Sequence, residues 1–198
     1  MEWRLEHAPL VSAEHANPDL KQIGVVVYDG GLVRDALMAQ CAAALVVSGC
    51  RLGGVVQSIP HRHGRRRCDM YVKDLLGGDK IKISLDRGNG ARGCRLDPDA
   101  FARIDGWVER AVLERVDLLI INKFGKEEVH GRGLRPAIAE ALIAEIPLVI
   151  GVSTQNLCDF LTFVGDSATR LGPDIEAITV WCRNAIERGA HHRPVHQG

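Results

Sequence analysis

Neither sign of charge prevails in this chain. Its 198 residues carry 25 Lys and Arg against 25 Asp and Glu, a formal net charge of zero at pH 7. That balance removes the global electrostatic case for nucleic-acid binding, and leaves room only for a local basic patch. No stretch approaches the roughly 18 uncharged residues that a membrane span needs, so no membrane partner is expected. The first 30 residues carry charge throughout and show no signal-peptide pattern. Six cysteines are scattered along the chain (Cys41, Cys50, Cys68, Cys94, Cys158 and Cys182) without a CxxC pair. Neither a zinc ribbon nor a disulfide framework is indicated by that spacing. Six free thiols and a cytoplasmic location are the expectation.

What the chain does have is the material for a core. Apolar residues make up 46% and charged residues 25%, with 21 glycines, a composition that suits one globular domain. Residues 1–22 read as an N-terminal extension, 23–188 as a single α/β domain, and 189–198 as a disordered tail. Residues 23–28 (IGVVVY) form an unbroken apolar run of the kind found in buried parallel strands. A helix over 35–48 follows, with Leu37, Cys41, Ala44 and Leu45 expected on its buried face. Residues 53–57 read as the next strand. An insertion over about 58–95 contains two alternating segments, 70–75 and 80–85, around Gly77, Gly78 and Asp79, which predict an antiparallel hairpin. Asp97 and Pro98 then provide a cap and a first helical residue for a helix to about 115. That helix is expected to bury Phe101, Ile104, Val108 and Ala111. Strands at 117–122 and 147–152, with helices at 136–145, 156–164 and 175–187, complete the pattern. Alternation of this kind predicts a parallel sheet covered by helices on both faces.

In such sheets ligands sit beyond the carboxyl ends of the strands, and four segments can meet there. Gly30 and Gly31 allow a tight turn before a helix whose N–H groups suit an anion, with Arg34 close behind. An ordinary strand–helix turn is the plain alternative. A basic loop holds His61, His63, Arg65, Arg66, Arg67 and Cys68, either as an oxyanion clamp or as a solvated surface. In a third segment Gly88, Gly90 and Gly93 surround Arg92, Cys94 and Arg95; it reads as a second cradle or as a linker. The fourth is the most specific: Lys123 and Lys126 follow a buried strand, and Arg132 and Arg135 open the next helix.

The order of strand, turn, helix, strand, basic loop, hairpin, helix and strand ending in NKFGKEE resembles the small bacterial and archaeal nucleoside-triphosphatases of the P-loop superfamily, over roughly residues 23–185. In that group the Walker-B strand ends in Asp-Glu, a hydrophobic residue, Gly, Lys, any residue and Glu. Here Asn122, Lys123, Phe124, Gly125, Lys126 and Glu128 fall on those places. The run INKFGKEEVHGRGLR, with GARGCRLD upstream, resembles more closely a bacterial domain-of-unknown-function family whose relatives neighbour molybdate-transport genes. The implied fold is therefore P-loop-NTPase-like, with an inserted hairpin.

The departures bear on mechanism. A phosphate loop reads G-x-x-x-x-G-K-[ST]; here Tyr28, Val33, Arg34 and Asp35 stand at its fixed places, and Asn122 and Lys123 replace the strand-end acids. A hydrolase needs the lysine, the hydroxyl and the acid together to hold phosphates and Mg²⁺. The expected function is a cytoplasmic oxyanion-binding accessory protein on a non-hydrolytic scaffold, with molybdate as the particular ligand. Gly30, Gly31, Arg34, Arg92, Arg95, Lys123, Lys126, Arg132 and Arg135 are its expected anion contacts. The first alternative is a weak nucleoside-triphosphatase or nucleotide-dependent transferase, with Asp29, Asp35 or Glu128 holding Mg²⁺ beside a nucleotide. The second is a soft-metal-binding or partner-binding module using His61, His63, Cys68 and Cys94. A homo-oligomer is compatible with each.

Overall fold

The structure, a computed structural model, describes residues 21–29, 31–58, 70–85 and 97–192. Seven strands form one sheet: β1 (Ile23–Tyr28), β2 (Leu52–Ser58), β3 (Tyr71–Asp74), β4 (Lys80–Lys82), β5 (Leu118–Phe124), β6 (Leu148–Ser153) and β7 (Ala168–Leu171). Their spatial order is β4-β3-β2-β5-β6-β1-β7. From β2 to β7 all neighbours are parallel. The hairpin β3–β4 pairs antiparallel, and β3 adds antiparallel to β2, so it extends one edge of the sheet.

Burial on both faces explains the apolar runs. Successive side chains of a strand point to opposite faces. Along β5, Leu119 and Ile121 enter one core while Leu118 and Ile120 enter the other. The first core is closed by α2 (Pro98–Leu113), α4 (Arg135–Ile143) and α5 (Leu157–Val164); the second by α1 (Gly31–Val47) and α6 (Ile175–His192). A single turn, α3 (Lys126–Val129), lies between β5 and α4.

The cap of α2 forms as its sequence dictates. The Asp97 carboxylate accepts from the Asp99 backbone N–H at 3.0 Å, and Pro98 follows in the first turn, where it removes no helical hydrogen bond. Ile104, Val108 and Ala111 are buried with Trp107, whereas Phe101 is only half-buried. In α1 the buried stripe is Met38, Cys41, Ala42 and Leu45 rather than the one containing Leu37 and Ala44, which are half-buried. Residues 41–47 are apolar at every position, so period alone does not select the face. β7 had no counterpart in the sequence reading: it is four residues long, and only Leu171 is buried.

Asp74, fully buried at the end of β3, ties the hairpin together. It accepts from the Leu76 and Gly77 amides, both at 3.0 Å, and from Arg110 Nη2 of α2 at 2.5 Å. The hairpin and α2 are thus fastened to each other by a charge-assisted bond. Among the described residues Cys41, Cys50, Cys158 and Cys182 are free thiols. Cys41 and Cys182 meet in the second core with their sulfurs 3.9 Å apart, a thiol–thiol contact. That contact and burial push the Cys182 thiol well above its usual range. Cys68 and Cys94 lie outside the described residues.

The close pairing of β2 with β5 depends on Gly54. Its φ is +87°, and a Cβ there would stand 2.1 Å from the Ile120 carbonyl oxygen. Gly54→Ala is expected to destabilise the fold by at least the ~1–3 kcal/mol of left-handed strain, with the clash in addition. Equilibrium urea unfolding against the parent chain checks this; an unchanged midpoint would refute it.

Candidate functional site

Two adjoining features occupy the carboxyl ends of the central strands. The first is a buried polar cluster where β1 passes into α1. Arg34 and Asp35 lie in the first turns of α1, and both are buried. Arg34 Nε donates to Asp35 Oδ1 at 2.9 Å, and its Nη2 donates to the same oxygen. Its Nη1 donates to the Tyr28 hydroxyl at 2.6 Å, with the guanidinium carbon 4.5 Å from that ring's centre. From β5, Asn122 Nδ2 donates to Asp35 Oδ1 at 2.8 Å; Asn122 Oδ1 accepts from the Gln57 backbone N–H of β2 at 3.1 Å. A buried charge is tolerated when it is paired and hydrogen-bonded, and Arg34 meets both conditions within this cluster. The room for it comes from Gly151 of β6, where a Cβ would lie 2.7 Å from Arg34 Cδ and 2.5 Å from the Asn122 carbonyl oxygen. Among the described residues Asp35 Oδ2 has no hydrogen-bond partner.

The second feature is a cavity of about 600 Å³ on the α2 side of the sheet. Its walls are Val55 of β2, Val72 of β3, Ile83, Phe101 and Ile104 of α2, Ile121 of β5 and Leu134. Gln57, Asn122, Lys123, Gly125, Lys126, Glu127 and Glu128 complete the lining. Lys123 is half-buried and Lys126 exposed.

Glu128 shapes the rim. It is buried, with Oε2 accepting from the Gly125 N–H at 2.8 Å and Oε1 from the Leu134 N–H at 3.1 Å. One carboxylate thereby holds both ends of the segment that carries α3. Glu128, expected as a metal ligand, binds two amides instead; the Gly-Lys-Glu-Glu spacing, which puts Glu at the third helical position, is the signal for this role. Asp105 of α2 has a buried Oδ1 without a partner among the described residues. Burial pushes its carboxyl above the ordinary range, and the nearby Glu109 and Glu128 charges add to this.

Of the expected contacts, the structure brings Lys123 and Lys126 to the cavity. Arg34 is taken up in the buried cluster, and Gly31 begins α1. Arg132 and Arg135 do not line the cavity. Arg132 Nε donates to Glu127 Oε2 at 2.9 Å, a bond that holds the exposed Glu127 carboxyl below its usual range. The Arg135 guanidinium stacks 4.2 Å above the Phe163 ring, and its Nη1 donates to the Glu128 carbonyl at 3.3 Å. Asp29 accepts from the Thr154 hydroxyl. Gly30, Arg92 and Arg95 lie outside the described residues, as do the soft-metal candidates His61, His63, Cys68 and Cys94. Among the described residues no group of three or more His, Cys, Asp or Glu side chains is placed to hold a metal, and no helix is long and apolar enough to cross a membrane.

Comparison with known proteins gives three kinds of likeness. The sequence pattern of the family described as "Protein of unknown function (DUF2478)" matches residues 23–181. The "Molybdenum import ATP-binding protein ModC 2" of Bradyrhizobium diazoefficiens is 33% identical over 183 residues, which is 92% of this chain and 20% of that protein. The chain thus spans about a fifth of that relative's length. THEP1 from the hyperthermophile Aquifex aeolicus superposes with a TM-score of 0.57 at 16% identity, over 82% of this chain and 95% of its own. A human cancer-related nucleoside triphosphatase superposes with a TM-score of 0.55 at 16% identity, over 88% and 100%. The fold is the P-loop-NTPase-like parallel sheet that the sequence led us to expect.

Asp105 offers a test of the electrostatics around this rim. A carboxyl whose pKa is raised on folding opposes the folded state as pH climbs above its ordinary value of 3.8. Asp105→Asn is therefore expected to raise the stability at pH 7, with the gain shrinking to nothing as the pH falls below that value. Denaturant unfolding across this pH range measures it, and a gain independent of pH would count against the assignment.

Proposed function

The chain belongs to the family described as Protein of unknown function (DUF2478), and within it we propose that this domain binds a tetrahedral oxyanion, molybdate in particular, on a nucleotide-hydrolase scaffold that does not hydrolyse. One observation carries the reading. At the places where a hydrolase needs a lysine, a hydroxyl and an acid, Arg34, Asp35 and Asn122 are bonded to one another in the interior. The residues present do not fit Mg²⁺, which favours a near-octahedral set of oxygen ligands. Glu128 is committed to two amides, Asp29 to Thr154, and Asp35 carries the Arg34 guanidinium on its other oxygen, which opposes a dication.

Anion binding is the activity that the remaining chemistry supports. Lys123 and Lys126 stand at the carboxyl end of β5 and around the following turn, and tetrahedral oxyanions take charge-assisted donors of this kind. The choice of molybdate draws on the relative whose name places it in molybdenum import. A cytoplasmic location agrees with the free thiols. A weak nucleoside-triphosphatase or nucleotide-dependent transferase is the second reading, and Asp35 Oδ2, which has no partner among the described residues, favours it.

Calorimetric titration with molybdate, tungstate, sulfate and phosphate tests the proposal. Saturable heat with molybdate is expected, and Lys126→Ala should weaken it by about 10- to 150-fold, the worth of one charge-assisted contact. No heat with any of the four anions would overturn it. Asn122→Asp combined with Lys123→Glu restores the strand-end acids, yet should not give nucleotide turnover in the usual enzyme range of about 1–10³ s⁻¹. Turnover in that range would establish the second reading.

A further inference from the structure

Two buried side-chain amides stand at the end of the sheet, and only one of them is spent. Asn122 uses both ends: its Oδ1 accepts from the Gln57 backbone N–H and its Nδ2 donates to Asp35. The Gln57 residue is 6% exposed, yet its side-chain amide has no hydrogen-bond partner among the described residues. It faces the cavity of about 600 Å³ instead. A buried polar group left unpaired costs free energy, which a ligand that supplies the missing hydrogen bonds recovers.

The surroundings of that amide define the rest of the ligand. The β2–β3 register sets Gln57 opposite Val72, and Val55 lies two residues earlier on β2, so all three side chains share one face. Ile104 of α2 and Ile121 of β5 extend an apolar wall beside them. The volume lies within the ~300–1,000 Å³ of small-molecule sites, which combine such walls with a few placed polar groups. The charged side chains of the lining balance, two lysines against two glutamates. Glu127 is bonded to Arg132, Glu128 to the Gly125 and Leu134 amides, and Lys123 is likewise engaged. Shape and hydrogen bonding, not net charge, are what this lining offers a ligand.

We propose that the cavity binds an uncharged, planar heteroaromatic molecule. Its rings lie against Val55, Val72, Ile104 and Ile121, and an edge with an N–H beside a C=O pairs with the Gln57 side chain. A primary amide carries one donor group and one acceptor side by side, and meets such an edge with two hydrogen bonds. The inference does not rest on the oxyanion reading, which needs the lysines and neither the amide nor the wall.

The test uses the full chain and two neutral fluorescent probes: phenanthridinone, a tricyclic lactam, and N-methylphenanthridinone, whose methyl group removes the donor. The lactam is expected to bind saturably, one per chain, with the same affinity at low and high salt. The methylated probe should bind about tenfold more weakly, the worth of one buried hydrogen bond. Gln57→Leu should erase that difference by weakening the lactam alone. Without any probe, the same variant should unfold at a higher urea concentration than the parent, because an unpaired buried amide has gone. A lower midpoint would show that the amide already has a partner, and would overturn the proposal. Val72→Trp fills the cavity and should abolish binding of both probes. If near-ultraviolet circular dichroism shows that it does not fold, Phe101→Ala at the half-buried rim should weaken both severalfold. Unsaturable binding, equal affinity for the two probes, or indifference to the wall substitutions would each overturn the proposal. Molybdate takes no part in this assay, so its failure is separate from a failure of the oxyanion reading.

Discussion

A guanidinium buried at the start of a helix has to find its counter-charge inside the protein, and Arg34 finds it in the neighbouring Asp35. The arrangement around the pair follows from that need. Tyr28 closes β1 with a hydroxyl and a ring face for the cation; Asn122 reaches over from β5 to the shared oxygen; Gly151 keeps the intervening strand narrow enough for the arginine stem. Removing one member of a buried pair leaves an uncompensated charge, which is far costlier than the pair itself. Strands β1, β2 and β5 are thus joined near their carboxyl ends by polar contacts through α1 as well as by the sheet ladder. A lysine in a phosphate loop reaches out to ligand; this arginine is turned inward and engaged.

The two faces of the sheet carry different chemistry as a result. On the α1 and α6 side Arg34, Asp35 and Asn122 are bonded to one another, with Asp35 Oδ2 left without a partner among the described residues, above a core that includes the Cys41–Cys182 contact. On the α2 and α3 side the core stops short of the strand ends and leaves a cavity edged by lysine. Asn122 belongs to both, bonding Asp35 and contributing to the cavity lining. The chemistry of this fold lies at its grafted site rather than in the sheet itself.

Much of the architecture was legible because burial leaves a plain mark on sequence. The runs at β1, β5 and β6, the Asp97–Pro98 start of α2 and the Gly77–Gly78 hairpin all appear where their patterns put them. The buried face of α1 was legible only at Cys41 and Leu45, since CAAALVV offers every face equally, and β7 was too short to show alternation. The site was less legible still. Adjacent residues of a helix do not normally face each other, so nothing in a linear reading pairs Arg34 with Asp35. Arg132 and Arg135 looked like ligand donors because their charge is visible in sequence, whereas the Glu127 carboxylate and the Phe163 ring that engage them are visible only in space. Glu128 shows the converse: its acidity suggested a metal, and its two amide partners reveal a structural clasp.

The strut between Asp74 and Arg110 has a consequence for how the cavity accommodates size. Val72 stands on the hairpin, and Phe101 and Ile104 stand on α2; these opposite jaws are pinned together by that charge-assisted bond. Their gap is therefore a fixed gauge. Another side is bounded by the 125–134 segment, which hangs at both ends from the Glu128 carboxylate. A guest broader than that gap has to break the Asp74–Arg110 bond or displace the 125–134 segment. One side of the cavity is thus set by an ion pair and another by a single carboxylate; Lys126 belongs to the second, whereas Lys123 stands on the sheet itself.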